Sequence, residues 1–98
     1  MTEVDTPQRR ASNHLLQQGQ IASNQGRYDQ AADLFQEAIS VDSSNGAAYY
    51  EMAQVRTHSG EYGDAWGFVE KAEALLGDSP EWAERLEKLK QDIKNANP

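Results

Sequence analysis

Cysteine is absent from this sequence of 98 residues, which rules out a disulfide framework and a thiolate metal site. No run is long or apolar enough to span a membrane, so a membrane is not an expected partner. The opening MTEVDTPQRR lacks the apolar stretch of a secretory signal. That favours the cytoplasm, and a signal removed upstream would instead place the chain in the periplasm or outside the cell. Histidine is scarce, with only His14 and His58, and these fall on different helices in the reading below. No Ser-His-Asp arrangement, phosphate loop or metal-ligand spacing is present. The expectation is therefore a chain that is not an enzyme and takes no cofactor and no metal. Basic residues are outnumbered, nine Lys and Arg against sixteen Asp and Glu, for a net charge of −7. Such a chain repels a phosphate backbone, so nucleic acid is not an expected partner either.

The length suits one domain. Charge is unevenly spread along it. Residues 12–26 carry no Asp, Glu, Lys or Arg. Residues 27–45 set Asp29, Asp33, Glu37 and Asp42 against Arg27 alone, and residues 46–79 are again strongly acidic. From Pro80 onward acids and bases balance. The first helical segment thus offers a nearly neutral surface beside an acidic middle.

A shift of 34 residues lays residues 12–45 on residues 46–79. Gln20/Gln54, Gly26/Gly60, Tyr28/Tyr62, Ala31/Ala65 and Ala38/Ala72 then coincide, and Ile21/Val55 and Ser23/Thr57 are close substitutions. Most of these residues have a job in a helical hairpin. Gly26 and Gly60 stand where a helix must end in the left-handed region, which glycine enters without a Cβ clash. Tyr28 and Tyr62 then open the next helix with a bulky ring. Ala31 and Ala65, with Ala38 and Ala72 two turns later, leave room for close helix crossing.

Apolar spacing extends this to five helices. The first ends near Gln25 with Leu15, Gly19 and Ala22 on one face. Thr6-Pro7 can open it early, although Arg9 and Arg10 oppose the helix dipole there. The second runs from Tyr28 to Val41 with the stripe Tyr28, Ala31, Leu34, Phe35, Ala38 and Val41. Ser44 or Asn45 caps the third, whose stripe is Tyr49, Met52, Ala53 and Arg56. The fourth runs from Tyr62 to Leu76 through Ala65, Trp66, Val69, Ala72 and Leu75 or Leu76, with Gly63 and Gly67 inside it. In the fifth, Ser79 caps, Pro80 takes the first turn, and Trp82, Leu86, Leu89 and Ile93 form the core stripe. Phe68 falls off the fourth stripe and is expected to face solvent or a partner.

These residues resemble the tetratricopeptide repeat. The first unit reads Leu15, Gln18-Gly19, Ala22, Gly26, Tyr28, Ala31, Phe35 and Ala38. The second reads Tyr49, Met52-Ala53, Arg56, Gly60, Tyr62, Ala65, Val69 and Ala72. Ser43 and Gly77 stand where the closing proline is usual, and Gln18, Ala22 and Arg56 replace apolar or aromatic residues. The resemblance implies an all-α fold, a right-handed superhelical stack of antiparallel helix hairpins. It divides into a lead-in at 1–11, repeats at 12–45 and 46–79, and a capping helix at 80–98.

The resemblance also implies a concave groove lined by the first helix of each hairpin, binding a peptide or helix of another protein. By position that groove presents Asn13, Leu16, Gln20, Ser23 and Asn24 from the first unit, and Ala47, Tyr50, Gln54, Thr57 and His58 from the second. Amides carry both donors and acceptors and can pair with a peptide backbone of any sequence. Leu16 and Tyr50 are the expected apolar anchors. Members that bind chaperone tails clamp a terminal carboxylate with Lys, Asn and Arg. The matching positions here hold Leu16, Gln20 and Glu51, and only Arg85 fits, so a carboxylate tail is a poor ligand. A competing expectation is a homodimer formed through the open face of the first helix around Leu15.

Overall fold

The computed structural model describes residues 5–97. Five helices follow in order: α1 (Pro7–Asn24), α2 (Tyr28–Val41), α3 (Gly46–His58), α4 (Tyr62–Leu76) and α5 (Pro80–Ala96). No strand occurs among the described residues. Of the lead-in expected at 1–11, residues 1–4 lie outside the described residues and Pro7 onward is helix. The Thr6 Oγ accepts from the Arg9 N–H at 3.0 Å, closing the N-terminus of α1. The Arg9 charge, unfavourable at a helix start, is neutralised by Asp42 at 2.7 Å.

The two glycine turns have the same geometry. Gly26 has φ +77° and Gly60 φ +78°. Around them Gly26 N–H bonds the Ser23 carbonyl (3.0 Å) and Arg27 N–H the Ala22 carbonyl (2.9 Å). Gly60 N–H bonds Thr57 (3.1 Å) and Glu61 N–H bonds Arg56 (2.8 Å) in the same way. Both are Schellman closures, which satisfy carbonyls that the helix end leaves unpaired. Tyr28 and Tyr62 begin the next helix in each case, and both are half-buried.

Each turn folds its helices into a pair, α1 on α2 and α3 on α4, and the pairs stack through α2 and α3. Ala31, Ala38, Ala65 and Ala72 are all fully buried at the crossings. Gly19 meets Phe35 so closely that a Cβ on the glycine would overlap the ring. The same shift puts Ala53 and Val69 at those places in the second pair, and both are fully buried. A larger ring thus faces no side chain in one hairpin, and a smaller side chain faces a methyl in the other. Helix α5 packs on α4 and touches α3, burying Leu86, Leu89 and Ile93. Its Lys90 ammonium pairs with the Glu73 carboxylate of α4.

Several expected faces are rotated or reassigned. Val41 is exposed and Ile39 is buried in its stead. On α3, Ala48 and Val55 join the core, while Arg56 is half-buried and pairs with Glu61 at 3.1 Å. Leu76 packs on the core and Leu75 is exposed. Phe68 is half-buried and not fully in solvent. It packs on the core with its ring 6.5 Å from that of Tyr49. Asn45 and Ser79 occupy the N-cap positions of α3 and α5, but neither side chain makes a cap hydrogen bond.

Asn45 is spent on the α1–α3 junction instead. Its Nδ2 donates to Ser12 Oγ and to Asn13 Oδ1, each at 2.9 Å. Ser12 Oγ in turn donates to the Ala38 carbonyl at 2.7 Å. Ser12 and Asn45 are both buried, so these bonds satisfy groups that water cannot reach.

Candidate functional site

Helices α1, α3 and α5 share the inner side of the stack. Each of α1 and α5 touches α3, and no Cα of α1 comes within 8 Å of one in α5. The space between them is an open groove of about 1370 Å³. Its lining follows the repeat. Asn13, Ala47 and Glu81 stand at one step of the 34-residue shift, and Gln17, Glu51 and Arg85 at the next, all six on the groove wall. Helix α5 therefore contributes to the groove as the first helix of a third unit. The turn from α4 to α5 adds Asp78 to the lining, and Arg10 and Ser44 also belong to it.

The groove gathers some of the residues expected there and leaves others outside. Asn13, Leu16, Gln20 and Ala47 line it. Leu16 is only 8% exposed, so it forms floor and not a projecting anchor. Asn13 is held by the Asn45 amide. Tyr50 lies just off the lining with its ring edge-on to Trp82, centroids 5.2 Å apart. The Gln54 Nε2 donates to the Tyr50 hydroxyl at 3.1 Å. Ser23, Asn24, Thr57 and His58 are not on the wall. The Thr57 Oγ1 donates to the Ala53 carbonyl at 2.8 Å, and His58 stacks on Tyr28 with centroids 3.9 Å apart. Trp82, expected in the core, is half-buried on the groove wall, and Arg85 lies over its ring at 5.0 Å.

Glu51 is a perturbed carboxylate on the groove wall. Burial pushes its pKa up, and the Arg85 charge and a hydrogen bond from Gln20 offset part of that rise. Burial also raises the Tyr50 phenol, with the Glu51 charge adding to the effect. At the α1 end, Arg9 Nη2 donates to Ser44 Oγ at 3.0 Å. Asp42 Oδ1 accepts from the Ser44 hydroxyl at 2.6 Å and from its N–H at 3.0 Å. Those contacts, with Arg9, hold the Asp42 carboxyl at about 2.

Glu81, Trp82, Asp78 and Gln17 were missed as wall residues. For Glu81 a signal was present, because the 34-residue shift carries Asn13 and Ala47 onto it, whereas Trp82 aligns with the buried Ala48 and reads as core. The Glu81 signal goes unread when the shift is stopped at residue 79. Among the described residues no three His, Cys, Asp or Glu side chains are grouped to hold a metal ion, and no helix is long and apolar enough to cross a membrane.

A family model for the tetratricopeptide repeat matches residues 24–91, from the end of α1 into α5. Among curated proteins, none matches the chain.

Proposed function

We propose that this chain, which belongs to the tetratricopeptide-repeat family, is an adaptor that takes a segment of another protein into the groove between α1 and α5. Repeats of this family mediate protein–protein interaction and are typically not enzymes. What supports the finer reading is the ladder of Asn13, Ala47 and Glu81 beside Gln17, Glu51 and Arg85, directed into one open cleft. A purely structural stack has no need to keep α1 and α5 apart over a mixed polar and apolar floor. In this reading Asn13, Leu16 and Gln20 contact the partner directly. Tyr50 and Gln54 act from beside the cleft through Trp82. Ser23, Asn24, Thr57 and His58 extend the surface beyond it.

Association through the outer face of α1 has less to support it. The positions that bury Ala48 and Met52 in the second unit carry His14 and Gln18 in the first, and these two polar side chains bond each other at 3.1 Å. Leu15, the expected centre of that contact, is half-buried against the core, and Ile21 is 57% exposed where Val55 is buried. A helix face so composed offers little contiguous apolar area to another copy.

Photocrosslinking separates the readings. A photoreactive residue at Gln17, in the groove, is expected to capture a partner that the same residue at Gln36, exposed on α2, does not. Equal capture from both positions, or a crosslinked dimer of the chain from Ile21, would overturn the groove reading.

A further inference from the structure

Three arginines and three carboxylates line the groove, Arg9, Arg10 and Arg85 against Glu51, Asp78 and Glu81, and they differ in how they are paired. Arg9 is paired with Asp42 at 2.7 Å, Arg10 with Asp5 at 2.8 Å and Arg85 with Glu81 at 3.4 Å. Glu51 and Asp78 also line the groove, and neither makes an ion pair among the described residues. Each arginine thus has an ion-pair partner, Arg9 and Arg10 with acids outside the lining, whereas Glu51, which accepts a hydrogen bond from Gln20 and feels the Arg85 charge, and Asp78 have no ion pair among the described residues. Glu51 stands at its middle step, half-buried between Gln17 of α1 and Arg85 of α5. A half-buried carboxylate gains more from a cationic partner than an exposed one does, because less water screens the pair.

The wall beside Glu51 is already seen holding a cation. The Arg85 guanidinium lies over the face of Trp82 at 5.0 Å, so this ring accepts a cation within the cleft. On the opposite wall α1 carries the amides of Asn13, Gln17 and Gln20, of which Asn13 is bonded to Asn45 and Gln20 to Glu51, while Gln17 is exposed. Amides in a row serve a chain whose own N–H and C=O groups are unpaired. That describes an extended segment, since a helix satisfies its backbone internally.

Resting on the groove reading above, we infer that the occupant is an extended peptide segment with a Lys or Arg side chain at its centre, its cationic head paired with Glu51 beside Trp82. The apolar stem of that side chain crosses Ala47 and the Leu16 floor, and Asp78 draws a second basic residue toward the α4–α5 turn. The acidic balance of the whole chain favours the approach of such a segment.

Display selection tests this with the full chain as bait and a library of random nine-residue peptides as probe. Selected peptides are expected to share a Lys or Arg at one position, with Gln17→Ala weakening their binding. Replacing that basic residue by Ala is expected to weaken binding at least tenfold, as is Glu51→Gln. Doing both should cost little more than either alone. Glu70→Gln, an exposed acid on α4, is expected to leave the affinity unchanged, and circular dichroism melting checks that Glu51→Gln stays folded. Peptides that need Gln17 but show no basic preference, or prefer acids, sink this inference and leave the groove reading intact. Selection that yields no peptide, or peptides indifferent to every groove variant, sinks both.

Discussion

Gly63 and Gly67 are exposed within α4, and a Cβ built on either meets no atom within 4 Å. Alanine there keeps the helix and limits the freedom of the unfolded chain. Gly63→Ala and Gly67→Ala are each expected to stabilise by about 0.5–1 kcal/mol, read as a higher urea midpoint. Gly26 and Gly60 behave oppositely although their Cβ positions are equally open. Their positive φ is what the Schellman closures require, and no space around them relieves the backbone of an L residue there. Residue type therefore does not settle a glycine's role; local backbone does. The same holds for asparagine. Asn45 was legible as a cap from its place before α3, but a buried amide with two acceptors at 2.9 Å bonds more completely across the stack than along its own helix. Asn45→Ala removes both bonds across the α1–α3 junction. It is expected to cost about 1–3 kcal/mol in chemical denaturation.

At the scale of helices, the two hairpins solve one packing problem with different pairs. Gly19 opposes Phe35 in the first, and Ala53 and Val69 take the same positions in the second. Gly19→Ala drives a methyl into a ring that is fully buried and has nowhere to move, so it is expected to destabilise by about 1–3 kcal/mol. Phe35→Val alone leaves a cavity. Together they rebuild the pair used by the second hairpin, and the double variant is expected to be more stable than the sum of the two losses. A double-mutant cycle on unfolding free energies reads that coupling; strict additivity would mean the two hairpins do not share this interlock. Helix limits were readable from glycine turns and apolar spacing, because both act within a few residues. Which stripe turned inward was less readable. Ile39 is buried and Val41 exposed because the direction of the neighbouring helix, not α2 alone, selects the covered face.

Across the whole molecule, Arg9 and Asp42 tie the start of α1 to the turn between the repeats. The Asp42 carboxyl, bonded by Ser44 and by Arg9, lies at about 2 when folded against an ordinary value of 3.8. A group whose pKa is lower in the folded state adds stability above its unfolded value and loses it as pH falls through the folded one. The contribution is thus full above pH ~4 and disappears toward pH ~2. Asp42→Asn is expected to lower stability at neutral pH and to flatten the acid limb of a melting-temperature profile across that window. The sequence alone determined the helical class, the turns and the repeat, since helix period, glycine conformation and alanine size are properties of short segments. Tertiary structure alone decided the groove. Tyr50 and Leu16 occupy groove positions by count, yet Trp82 lies across one and the other is sunk into the floor. Val55 and Ile21 are equivalent in sequence, yet one is buried and the other exposed. Exposure belongs to the space between helices, and that space exists only once they have packed.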